Sequence, residues 1–76
     1  MTRADDEWRR ALVLLADNPD GYSRAAMLAR GFPPVLLNRL VRAGLAASHV
    51  GREERGEEAI EIVRVTITEA GRRALG

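Results

Sequence analysis

LVRAGLA at residues 40–46, followed past a charged loop by VRVTIT at 63–68 and EAGRRAL at 69–75, decides how this chain folds. Gly44 stops a helix, because glycine enters the left-handed region that ends helices at little cost. Leu45 then turns back toward the interior. Residues 46–52 read as a strand, Glu53 to Glu58 (EERGEE) as a turn with Gly56 at its tip, and residues 59–68 as the returning strand. Thr68 is placed to cap a last helical turn, EAGRRAL.

The returning strand carries one conflict. Ile60 and Ile62 share one parity, whereas Val63, Val65 and Ile67 share the other. A strand of period two cannot bury both sets on one face, which predicts a bulge or strong twist near Ile62–Val63.

Working backward from Gly44, residues 34–42 pass a helical test. At about 100° per residue, Leu36, Leu37, Leu40 and Val41 fall within an arc of roughly 140°. Val35, Asn38, Arg39 and Arg42 gather on the opposite side. Pro34 suits the first turn of such a helix. Ahead of it, Ser23 is a predicted N-cap for a short helix over residues 24–30, with Met27 and Leu28 facing inward and Gly31 as its stop.

The first helix is expected to be capped by Asp5 or Asp6, with Glu7 at the positive end of its dipole. Trp8, Ala11, Leu12 and Leu15 share one face. Residues 11–16 are apolar nearly all round, which predicts burial from several sides. Asn18-Pro19-Asp20-Gly21 is turn chemistry and ends this helix. Trp8 and Tyr22 are read as core anchors.

A chain of 76 residues is a single small domain, residues 1–76. At this size folding buries only about 60% of the surface that the unfolded chain exposes. The composition holds no cysteine, so neither disulfides nor thiolate metal sites are available. His49 is the sole histidine and lacks a partner ligand or nucleophile, so it reads as a polar surface residue of the first hairpin strand. Glu53, Glu54, Glu57 and Glu58 lack the alternating oxygen pattern of a calcium loop. No glycine-rich phosphate loop is present, and the chain has no surplus for a substrate pocket. No enzyme activity, metal or cofactor is expected. The longest apolar run near the N-terminus, ALVLLA, is too short for a leader or a membrane span, so a cytoplasmic location is expected.

Charge is the second informative pattern. The formal net charge is only +1, yet Arg24, Arg30, Arg39, Arg42 and Arg52 occupy residues 21–52 with no acid among them. Residues 53–61 carry five glutamates against Arg55. All twelve basic residues are arginine, whose planar fork suits phosphates and base edges. Positive charge gathered in the middle third is what a polyanion-binding face requires.

With these residues in view, the chain resembles the winged helix-turn-helix superfamily of bacterial regulators, and within it the MarR-type and ArsR-type repressors. LVRAGLA at 40–46 and RVTITEAGRRAL at 64–75 carry the likeness. The resemblance implies an α+β fold: three helices, a two-stranded wing hairpin and a short C-terminal helical turn. It implies a transcription regulator or accessory module that binds double-stranded DNA, with the third helix in the major groove and the wing on flanking backbone. Carried onto this chain, Val35, Asn38, Arg39 and Arg42 form the groove-facing side, and Arg52 and Arg55 lie at the wing. Arg24 stands at the capped start of the second helix, where backbone N–H groups hold a phosphate. The chain departs from the family pattern in a shortened 28–44 stretch, an acidic wing tip and only eight residues after Thr68. Without long flanking helices, a monomer or weak homodimer is expected. The alternative is a winged helix that serves a protein partner, favoured by the acidic wing, the abbreviated helix and the patch Phe32-Pro33-Pro34-Val35. Exposure of Phe32 and Val35 side by side would strengthen that reading.

Overall fold

Apolar residues recur with helical period from Trp8, and α1 spans Arg3–Asp17. The computed structural model describes residues 3–76, with side chains from Asp6 onward. The helix begins ahead of the expected cap. Asp6 lies inside it, where a carboxylate still favours the positive end of the dipole; the Asp5 side chain lies outside the described residues. Ala11, Leu12 and Leu15 are fully buried, and Trp8 and Leu14 pack against them. Val13 is 46% exposed, so the expected burial of residues 11–16 from several sides is corrected to one face. A surface helix buries a stripe, and here the opposite side has no neighbour.

Asn18 and Gly21 end α1 as a closed turn. The Gly21 amide donates to the Asn18 carbonyl at 2.8 Å, and Asn18 Nδ2 returns a bond to the Gly21 carbonyl at 3.0 Å. Gly21 adopts φ +79° hard against the Val65 backbone, where a side chain would collide with the Val65 carbonyl. That approach starts β1, Tyr22–Ser23, a strand that period-two reasoning does not register because it is only two residues long. The Ser23 hydroxyl then accepts from the Ala26 amide at 3.1 Å and caps α2, Arg24–Ala29. Met27 is buried, whereas Leu28, expected inside, is 38% exposed.

Pro34 opens α3, Pro34–Arg42, which buries Leu36, Leu37 and Leu40. Val41 was expected beside them and is 37% exposed. It sits at the margin of the apolar arc, and no element covers that margin. Gly44 leaves the helix at φ +76°, and the Leu45 amide bonds back to Leu40 at 2.9 Å.

Strands β2, Ala46–Arg55, and β3, Glu58–Ile67, form an antiparallel hairpin. β2 runs three residues further than the sequence suggested, β3 keeps its expected length but starts one residue earlier, and the turn shrinks to Gly56 and Glu57. Gly56 at φ +64° in the first central position is the arrangement of a two-residue hairpin turn of the II′ kind. The register runs one-to-one from Ala46↔Ile67 to Arg55↔Glu58. The bulge expected at Ile62–Val63 is therefore absent. Instead the conflict is resolved by extension: β3 projects beyond the helices, so only Val65 is fully buried while Ile60 on the other parity stays 40% exposed.

The sheet has three strands in the order β1-β3-β2, all antiparallel, rather than the hairpin alone. Thr68 caps α4, Glu69–Ala74, accepting from the Gly71 amide at 3.1 Å and donating to the Gly44 carbonyl at 2.6 Å. One side chain thus ties the end of the sheet to the turn after α3. Among the described residues the result is a small α+β fold of four helices and one sheet, 48 × 23 × 21 Å. The long dimension includes the hairpin, in which every residue from Ser48 to Glu61 is exposed. No helix among the described residues is long and apolar enough to cross a membrane.

Candidate nucleic-acid interface

The apolar face of α3 is fixed by Leu36, Leu37 and Leu40 in the core, which forces its opposite face into solvent. Val35 is 60% exposed there, and Asn38, Arg39 and Arg42 are exposed with it. Two further features place a second helix beside this face. Ser23 caps α2, which sets Arg24 at its first residue, and Arg24 Nη1 donates to Asn38 Oδ1 at 3.4 Å. The distance is at the long end for a hydrogen bond and the pair is exposed, so it holds Arg24 over α3 only loosely.

Five of the expected residues, Arg24, Val35, Asn38, Arg39 and Arg42, are thereby gathered on the α2–α3 surface. Arg39 stands at one margin of it, lining a groove with Glu7, Trp8 and Val35. The expected phosphate cradle of backbone amides at Arg24 is reduced, because the Ala26 amide is already taken by the Ser23 hydroxyl.

Arg52 and Arg55 do not join one another. They differ by three along a strand, so they project from opposite faces of the hairpin. Arg52 lies opposite Glu61 in the register. Arg55, at the tip, approaches Glu53 at 4.0 Å and stands among Glu53, Glu54, Glu57 and Glu58. The tip carries net negative charge, so the two wing arginines do not make a cationic wing. His49, on β2, is exposed and pairs with the Thr66 hydroxyl at 3.2 Å, as a surface residue does.

Among the arginines not singled out as site residues from sequence, two make long-range contacts. Arg30 lies over the Tyr22 ring at 5.0 Å, which orients it beside the start of β1. Arg64, at the foot of the hairpin, donates to the Asp20 and Gly21 carbonyls at 3.4 and 3.3 Å. Arg64 serves the turn after α1. Neither pairing has a local sequence signal, since each joins segments distant in the chain or folded back by β1.

Phe32 and Val35 are not both exposed: Val35 is 60% exposed and Phe32 is partly buried. Phe32 packs against the core and lines a groove with Val13, Leu14 and Arg30, whereas Val35 lines the groove beside Trp8. No protein-family model, curated protein or solved structure matches the chain.

Proposed function

We propose that this domain is a winged helix-turn-helix that binds double-stranded DNA, as a transcription regulator or an accessory module acting in the cytoplasm. The observation that carries the reading is the pairing of α2 and α3: three leucines hold α3 down while Arg24, Asn38, Arg39 and Arg42 stand together on its outer side. Phosphate attraction from the arginines supplies affinity, and Asn38 with Val35 supplies contact to base edges. The hairpin contributes little at its tip, because glutamates there repel phosphate.

Binding of this kind is weak and strongly dependent on salt. Neutralising about three to five phosphates gives a slope of log affinity against log salt near −3 to −4. Fluorescence titration of a labelled generic duplex at two salt concentrations measures it. Absence of binding at low salt overturns the proposal.

The reading as a protein-binding winged helix loses ground at Phe32, which packs against the core while Val35 is exposed. What still favours it is the acidic hairpin tip and the abbreviated 28–44 stretch.

A further inference from the structure

The sheet leaves one edge half covered. β1 pairs only with Val65 and Arg64, so the remainder of β3, from Glu58 to Val63, has no strand on that side. Arg55 and Glu58 close the two-residue turn as a hydrogen-bonded pair, and the pattern alternates from there. The N–H and C=O groups of Ala59, Glu61 and Val63 therefore point away from β2, toward the open edge. Beyond the last residue of β1, a groove follows this edge, lined by Ser23, Arg24, Leu28, Ile60, Ile62 and Val63. Leu28 and Ile60 are 38% and 40% exposed in it. Open edges are normally blunted by charge, bulges or cover. The outer edge of β2 is charged along its far half with Arg52, Glu53, Glu54 and Arg55. The open part of β3 reads EAIEIV, with two charges, one of them at the turn, and no bulge.

We propose that a second copy of this chain pairs with this edge, β3 against β3 in antiparallel order about a two-fold axis. A self-complementary occupant follows from charge. Residues 53–61 carry five glutamates against one arginine, and residues 21–52 carry five arginines and no acid. Among the described residues the ion pairs are Glu53 with Arg55 and Glu69 with Arg73, so, although Arg52 stands opposite Glu61 in the hairpin, no arginine of residues 21–52 forms an ion pair with these glutamates within one chain. Its own hairpin projects the acidic tip away from the basic body. Antiparallel pairing reverses that separation. With Ile60 on the axis, Ala59 meets Glu61 of the other copy, and each tip extends to the point where the other copy's β1 ends. Glu57 and Glu58 then abut Ser23 and Arg24 of the opposite chain. About four main-chain hydrogen bonds form across the axis, and Ile60 and Ile62 of both copies cluster on one face. An isologous contact of this kind closes at two chains rather than growing into a fibre.

Sedimentation equilibrium in the absence of nucleic acid tests the dimer independently of any DNA binding. Over about 10 μM to about 1 mM, the weak range suited to a small interface, the mass rises from 8.4 kDa toward twice that value. Raising salt from about 0.05 M to about 0.5 M lowers the dimer fraction, because the pairs at the tips are exposed. Glu58→Arg and Arg24→Glu each weaken association by about tenfold, since each places like charges together. Both positions tolerate the change: Glu58 is exposed, and an acid suits the first residue of α2. An equimolar mixture of the two variants restores association, because both contacts then regain opposite charges. A mass of 8.4 kDa at every concentration overturns the proposal. So does a dimer indifferent to both variants, or a mixture that fails to recover.

Discussion

Arg24 and Asn38, fourteen residues apart in the chain, meet between α2 and α3, the guanidinium donating to the amide oxygen at 3.4 Å. The contact is exposed and long, so it adds little to stability. Its importance is positional: it shows two helices presenting polar groups to the same volume of solvent. Asn38→Ala is therefore expected to change unfolding free energy by less than about 0.5 kcal/mol. The same substitution weakens duplex binding by about 1–3 kcal/mol if Asn38 reads a base. Urea unfolding and duplex titration of the one variant separate the two effects.

Arg39→Ala with Arg42→Ala lowers duplex affinity and reduces the salt slope by about 2, one phosphate being lost for each arginine. Arg55→Ala, at the acidic tip, leaves the slope unchanged. A slope that falls equally for Arg55→Ala would move the interface from α3 to the hairpin.

Leu37 is 1% exposed and Val41 is 37% exposed, although both lie in the apolar arc of α3. Leu37→Ala leaves a cavity and costs about 2–5 kcal/mol, enough to unfold much of a domain whose total stability is of the order of 5 kcal/mol. Val41→Ala costs less than about 1 kcal/mol, since little of its surface is removed from water. Urea midpoints of the two variants provide the comparison.

Gly71 lies inside α4, where alanine is normally the better helix former by about 1 kcal/mol. Here the added methyl would be driven into the Leu45 carbonyl oxygen and within 2.8 Å of Ile67 Cγ1. Overpacking against backbone costs about 1–3 kcal/mol and outweighs propensity. Gly71→Ala lowers the melting temperature, and a rise would show that α4 has room to move off the sheet.

Thr68 caps α4 and also donates to the Gly44 carbonyl at 2.6 Å, whereas Ser23 caps α2 through its bond from Ala26. Ser23→Ala is expected to cost about 1 kcal/mol. Thr68→Ala costs about 1 kcal/mol more than that, because a second hydrogen bond is lost. Thr68→Ser restores most of the difference. Thermal unfolding of the three variants gives the order.

The chain's local chemistry determined its elements and their punctuation. Leucine spacing, Pro34, the Ser23 and Thr68 hydroxyls, and the glycines at 31, 44 and 56 act over three or four residues, so α2, α3, the hairpin and α4 were legible without coordinates. The outer face of α3 was legible for the same reason, since burying one side of a helix exposes the other. Tertiary structure alone decided what depends on distant partners. β1 exists only because Gly21 lets the chain approach Val65, and two residues carry no period of their own. Val13, Leu28 and Val41 look like core by pattern and stay partly in water, because periodicity states which residues align, not whether anything packs against them. The mixed parity of β3 pointed to a bulge, and the fold answered it by carrying an unbroken ladder beyond the body, leaving isoleucine on an open edge. Arg24 reached Asn38 for that same reason: helices are written locally, whereas their neighbours are chosen by the burial of the whole chain.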